Sequence, residues 1–224
     1  MKKVLAIALV LCLVMGAVFA AKGDIKVGAQ LGYVGGFSRQ KVSEGNDYMK
    51  VKASVGGFGF EAAGLYDVTD EVSVKAAFGL VFFGKNAKVT VNTHIEGLPD
   101  STDSDTVEVD APVQFSFYLG GQYAFEVTKE IKVAAGAGLD LTFGKDSKDD
   151  DAKSSLSLGL GAEVTGTYAI NKNIDVLLGA RYSFYFVDTD ENLKKEKEAY
   201  EALGAKFSYS SSALRIFAGC TYKI

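Results

Sequence analysis

The chain has 224 residues and a formal net charge of −4 at pH 7, so no basic surplus favours nucleic acid, and its length suits one all-β domain. Glycine is abundant (25 residues) and proline nearly absent (2), a balance that suits strands with close side-chain packing. Of the 2 cysteines, Cys12 lies in an apolar leader, which leaves Cys220 alone and excludes an intramolecular disulfide.

The leader starts Met1-Lys-Lys, runs apolar from Val4 to Val14 and ends at Gly16-Ala-Val-Phe-Ala20. A basic start, a short apolar core and a small residue at the break are expected of a cleaved secretory signal, residues 1–20, with the mature domain at 21–224. Leu9-Val-Leu ahead of Cys12 lacks the small residue that precedes a lipidated cysteine. No later apolar run reaches the about 20 residues of a membrane helix. If the mature chain enters a membrane, it must do so as a closed barrel, in which every backbone group is paired.

In chain order, the first strand covers Ile25 to Val34 with Ile25, Val27, Ala29, Leu31 and Tyr33 on one face. Gly35 to Asp47 reads as a polar loop, and a second strand spans Val51 to Val68. The third strand alternates from Val72 to Phe82. A long excursion from Gly84 to Ala111 follows, within which Ala87 to His94 alternates and extends the hairpin. Pro112 opens the fourth strand, the fifth runs from Lys132 to Phe143, and Gly144 to Lys153 is a charged loop. The sixth strand runs through Leu156 to Tyr168 and the seventh through Val176 to Phe186. Glu191 to Leu203 has helix-forming composition, with Leu193, Tyr200 and Leu203 as packing residues and Gly204 as its stop. The last strand carries Leu214 to Ile224.

Three of the connections are copies of one motif, Tyr66-Asp-Val-Thr-Asp-Glu-Val-Ser-Val74, Phe125-Glu-Val-Thr-Lys-Glu-Ile-Lys-Val133 and Tyr168-Ala-Ile-Asn-Lys-Asn-Ile-Asp-Val176. Val68 opposite Val72, Val127 opposite Ile131 and Ile170 opposite Ile174 leave three-residue loops. Each loop leads with a Thr or Asn that can bond its own turn. Eight strands, three tight turns and four longer loops place both termini on the turn side.

Large residues monopolise one face of each strand, while Lys, Gln, Glu, Asp, Arg and Gly recur on the other. The pattern predicts an apolar band outside and a polar interior. Phe115 to Phe125, Val133 to Phe143 and Val176 to Phe186 match the about 9–11 tilted residues that cross a bilayer. Tyr66, Phe125, Tyr168 and Tyr222 form a turn-side girdle, and Phe82, Phe115, Phe143, Phe184 and Phe186 one toward the loops.

With its leader, up-and-down repeat and long loops, the chain resembles the small outer-membrane β-barrel family of the eight-stranded OmpA-barrel and OmpX type. The resemblance implies bacterial outer-membrane localisation, periplasmic turns, surface loops and insertion by the barrel-assembly machinery. Thr221-Tyr-Lys-Ile224 departs from the aromatic terminus of such barrels, and no cell-wall-anchoring domain is carried over.

The turn registers place Glu163 opposite Arg181, Glu126 opposite Lys132 and Tyr118 opposite Asp140. All six are inward by strand parity. Buried charges need partners, so an interior network is expected from Glu61, Lys75, Tyr118, Asp140, Glu163, Arg181 and Arg215, together with Glu126 and Lys132. Its role is expected to be structural, a plug.

His94, the single histidine, lies beside Thr93 and Glu96, yet no motif makes it a catalyst, and no enzyme activity is expected. Asp149-Asp-Asp151 lacks Ca²⁺-loop spacing, so neither metal nor cofactor is expected. The expected role is structural or surface interaction, in adhesion or envelope integrity, through the loops. Its partners would be outer-membrane lipid or lipopolysaccharide, and a host or cell-surface ligand, with the chain a monomer. The alternatives are a narrow porin-like pore and a secreted lipocalin-like binding barrel.

Overall fold

A computed structural model describes residues 23–109, 113–145 and 154–224. The expected signal peptide, Pro112 at a strand start and the acidic run Asp149-Asp-Asp151 lie outside the described residues. In order, the elements are β1 (Ile25–Glu44), β2 (Asp47–Asp67), β3 (Val72–His94), β4 (Ser101–Glu108), β5 (Val113–Glu126), β6 (Ile131–Lys145), β7 (Ser154–Ala169), β8 (Ile174–Asp188), α1 (Glu191–Ala202) and β9 (Lys206–Lys223).

Every neighbouring pair is antiparallel, and pairing of β1 with both β2 and β9, and of β3 with both β2 and β5, closes a ring of eight strands. β4 stands outside the ring on the upper edge of β3. No helix among the described residues is long and apolar enough to cross a membrane.

The repeated turns form as the motif dictates. Val68, Val127 and Ile170 each donate a backbone N–H to the carbonyl of the residue four positions on. Thr69, Thr128 and Asn171 accept from the backbone N–H groups of residues two and three ahead, at 2.9–3.2 Å. These side-chain caps satisfy donors that a tight turn leaves unpaired.

The parity of the strands is the reverse of a soluble protein's. Phe58 is 71% exposed and Leu31 66%, whereas Glu61, Lys75, Asp140, Glu163, Arg181 and Arg215 are buried. The lipocalin-like alternative needs the large residues inside, and their outward exposure rules it out. Phe78, Phe115 and Phe143 form a cross-strand ladder on the outside, with ring centroids 6.1 and 5.6 Å apart. One girdle member differs: Tyr66 is buried, because Gly23 packs directly against its ring.

The loop side departs further from expectation. Gly35 to Asp47 is not a loop, since β1 and β2 pair continuously up to Glu44 opposite Asp47 and turn through two residues. Glycines and polar residues give this stretch a loop-like composition, but β2 and β9 supply it with backbone partners on both sides. The upper parts of β9, β1, β2, β3 and β4 therefore make one sheet that stands above the barrel. It leaves the barrel at a register shift between Val55 and Gly57. α1 forms as expected, with Asp190 capping Asn192 N–H at 2.8 Å and Gly204 closing it at φ +84°. Tyr200 stacks on Phe207 at 5.9 Å, but Leu203 is exposed.

Candidate functional site

The inward positions of β1, β2, β3, β5, β6, β7, β8 and β9 converge on a charge cluster at mid-height. Register sets Glu163 of β7 opposite Arg181 of β8, and Arg181 Nε donates to Glu163 Oε2 at 2.8 Å. Lys75 of β3 donates to Glu163 Oε1 at 2.6 Å. From the far wall, Glu61 of β2 accepts from Arg181 at 3.1 and 2.9 Å and from Arg215 Nη1 at 3.0 Å, and Gln30 donates to it as well. Arg215 also donates to Ser116 Oγ at 3.0 Å, and Ser183 donates to Asp140 Oδ2 at 2.6 Å.

Arg181 and Arg215 lie directly opposite on β8 and β9, a like-charge pair that would repel. Glu61 resolves this by bridging both guanidinium groups. Tyr118 lies opposite Asp140 in register, but its ring lies beneath the guanidinium of Arg181, 3.8 Å from Cζ to centroid. The cluster contains Glu61, Glu163 and Asp140 against Lys75, Arg181 and Arg215, so its formal charge is zero. In a medium that solvates ions poorly, such balance is what lets all of them be buried.

Parity groups Glu126 and Lys132 with this interior set, but the structure places them elsewhere. They pair with each other at 2.9 Å, but at the turn-side rim, where their side chains are 69% and 39% exposed. They are the last pair of their hairpin before the turn, and the barrel mouth admits water there. The Glu126 carboxylate holds the Lys132 ammonium above its ordinary range by accepting its hydrogen bond. A cation raised in the folded state contributes stability below its unfolded value, and that contribution is lost as pH rises through the folded one. Glu126→Gln is expected to lower stability by less than about 1 kcal/mol, measured as a urea midpoint in detergent, as for any solvated pair.

Sequence reasoning named the charged members and passed over Gln30, Ser116, Ser183 and Thr165. All four have inward parity, which was the available signal. Thr165 Oγ1 donates to Glu163 Oε1 at 3.3 Å.

The buried cluster lies between two cavities. A turn-side vestibule of about 320 Å³ reaches up to Lys75, and a loop-side vestibule of about 290 Å³ reaches down to Arg215. Between them, Arg181 is 1% exposed and Asp140 0%.

His94 sits at the tip of β3, where its Nδ1 lies 2.6 Å from Asp100 Oδ1 and its ring stacks on Tyr48 at 5.2 Å. No hydroxyl or thiol bonds the imidazole among the described residues. No group of three or more His, Cys, Asp or Glu is arranged to hold a metal among them either.

An eight-stranded antiparallel ring with lipid-facing apolar residues and an ion-paired interior defines a transmembrane β-barrel. The family model "Outer membrane protein beta-barrel domain" matches residues 7–210, and the chain belongs to that family. Among solved structures, the neisserial surface protein A is similar at 16% identity with a TM-score of 0.54, covering 89% of this chain and 97% of its own. OprG of Pseudomonas aeruginosa gives 17% identity and a TM-score of 0.44, with coverage of 90% and 96%. The outer-membrane protease OmpT of Escherichia coli gives 10% and 0.47, with coverage of 90% and 97%. No curated protein matches the chain.

Proposed function

We propose that the protein is a sealed barrel of the bacterial outer membrane that displays a rigid extracellular sheet for surface interaction and envelope integrity. One observation carries this reading: the lumen is divided by a charge-balanced cluster, while the loop side is built into a sheet larger than sealing requires. β1, β2 and β3 are 20, 21 and 23 residues long, against 14–16 for β5 to β8. A bilayer needs only about 9–11 residues per strand, so the surplus stands in water. Thr90 and Ser104 hydroxyls lie 3.0 Å apart and Thr102 donates to Asn92 at 3.0 Å, which fastens β4 to β3. That leaves the other edge of β4 unpaired among the described residues, a template for a further strand.

The test is electrical and positional. Purified barrel in planar bilayers is expected to show no steady conductance in high salt, and protease added to intact cells is expected to cut at the Ile95 to Asp100 turn. Steady channels would favour the narrow pore, which the two facing vestibules would serve if the partition opened. Recovery of the chain in the periplasm would refute the outer-membrane placement.

A further inference from the structure

On its outward side, the register of the upper sheet gathers positive charge that the interior network does not use. Arg39 stands directly opposite Lys52, and Lys41 directly opposite Lys50. Lys88 lies opposite Ser54 on the next strand, and Lys206 opposite Ser43 on the preceding one. All six have the outward parity of Phe37. Two facing like-charge pairs on adjacent strands are unfavourable unless a counter-charge lies between them. None of the six makes an ion pair with any described carboxylate. On this face of β9, β1, β2, β3 and β4 the one carboxylate is Glu108, diagonal to Lys88 and not paired with it. Asp100 is already engaged by His94.

The position of the patch identifies its counter-charge. Phe37, the preceding outward residue of β1 below the first cation pair, is on the same row as Ser212 and Phe184. A groove of about 520 Å³ runs here, lined by Arg39, Lys52 and Lys88 together with the exposed rings of Tyr182 and Phe184. Ser54, Thr90, Ser210 and Ser212 also line it. Higher up, Lys41 and Lys50 flank the ring of Tyr48 at 5.0 and 5.1 Å, which holds their ammonium groups on the same face. Cations and serine and threonine residues therefore lie directly above an aromatic girdle. In a bilayer that is the level of lipid headgroups, with acyl chains running down the band below.

We propose that this face is a binding site for a phosphorylated glycolipid of the outer leaflet, its phosphates held between Arg39, Lys52 and Lys88 and its chains on Tyr182 and Phe184. The proposal rests on the outer-membrane reading above. Arg39 offers a planar fork that matches two phosphate oxygens, and the lysines add point charges. The bound phosphates remove the repulsion between the facing cations, so lipid and upper sheet order each other.

The test uses the full mature barrel refolded in neutral detergent and examined by native mass spectrometry. Its probes are bisphosphorylated lipid A, the same glycolipid without phosphates, and phosphatidylcholine. Wild-type protein is expected to retain the bisphosphorylated lipid at least tenfold better than either neutral probe, with a preference that falls as salt rises. In the triple variant R39S/K52S/K88S the preference is expected to vanish while the folded, heat-modifiable band persists. Equal retention of all three lipids by the wild type overturns the proposal, and so does an unchanged preference in the triple variant. Stronger capture of a soluble sulfated polysaccharide than of the phosphorylated lipid would reassign the face to a glycan. Recovery of the chain outside the outer membrane would instead refute the placement while leaving the measured lipid preference intact.

Discussion

Arg181→Ala is expected to lower the unfolding free energy of the detergent-solubilised barrel by about 3–5 kcal/mol, the cost of breaking a buried ion pair from one side. The readouts are the temperature at which the folded band disappears in gel electrophoresis and the urea midpoint. Arg181 is 1% exposed and, among the described residues, is the one that bonds both Glu61 and Glu163. Without it, Glu163 keeps Lys75 and Glu61 keeps Arg215, but the cluster carries an unbalanced negative charge among buried side chains. The ring of Tyr118 also loses the cation it faces. Arg181→Ala combined with Glu163→Gln restores the balance of charge and is expected to recover part of the loss. That non-additivity separates electrostatic pairing from simple loss of volume. An Arg181→Ala barrel with wild-type heat resistance would show that the cluster does not hold the walls together.

The same residues mark how far the sequence could be read. Contacts between adjacent strands were legible because each three-residue turn fixes which numbers face each other, and Glu163 and Arg181 face each other for that reason alone. Contacts across the lumen were not. Glu61 and Arg181 are 120 residues apart and sit on strands that are not neighbours in the ring, so their meeting depends on strand tilt and stagger. No local pattern encodes either quantity. Parity likewise reports a face and not a depth, which is why Glu126 and Lys132 were grouped with residues that lie deeper. On the loop side, composition misled: Gly35-Gly36 and the polar residues after them suit a loop, but their neighbours on β2 and β9 supply a complete ladder of backbone partners. Glu191 to Ala202 was legible because helix-forming composition and the Gly204 stop agree locally and need no distant partner.

Gly138→Val is expected to destabilise the barrel although valine forms strands far better than glycine. Gly120, Gly138 and Gly161 form a row across β5, β6 and β7. A Cβ at Gly138 would lie 2.3 Å from the Leu119 carbonyl oxygen and 2.5 Å from Gly120 Cα, both backbone atoms that cannot turn aside. The Tyr118 side chain lies over this bare strip, since a Cβ at Gly120 or Gly161 would meet its phenol group. The strip therefore decides where the ring lies, and the ring supports Arg181. Overpacking costs about 1–3 kcal/mol on its own, and lifting Tyr118 adds to it by disturbing the ion cluster. Gly121→Val is the matched control: one residue from Gly120 but with outward parity, it has no atom within 4 Å of an added Cβ. There the strand preference of valine acts unopposed, and stability is expected to hold or rise. A smaller urea midpoint for Gly138→Val and an equal or larger one for Gly121→Val would show that these glycines are set by the lumen. Equal responses at the two positions would mean that the bare strip does not position the seal.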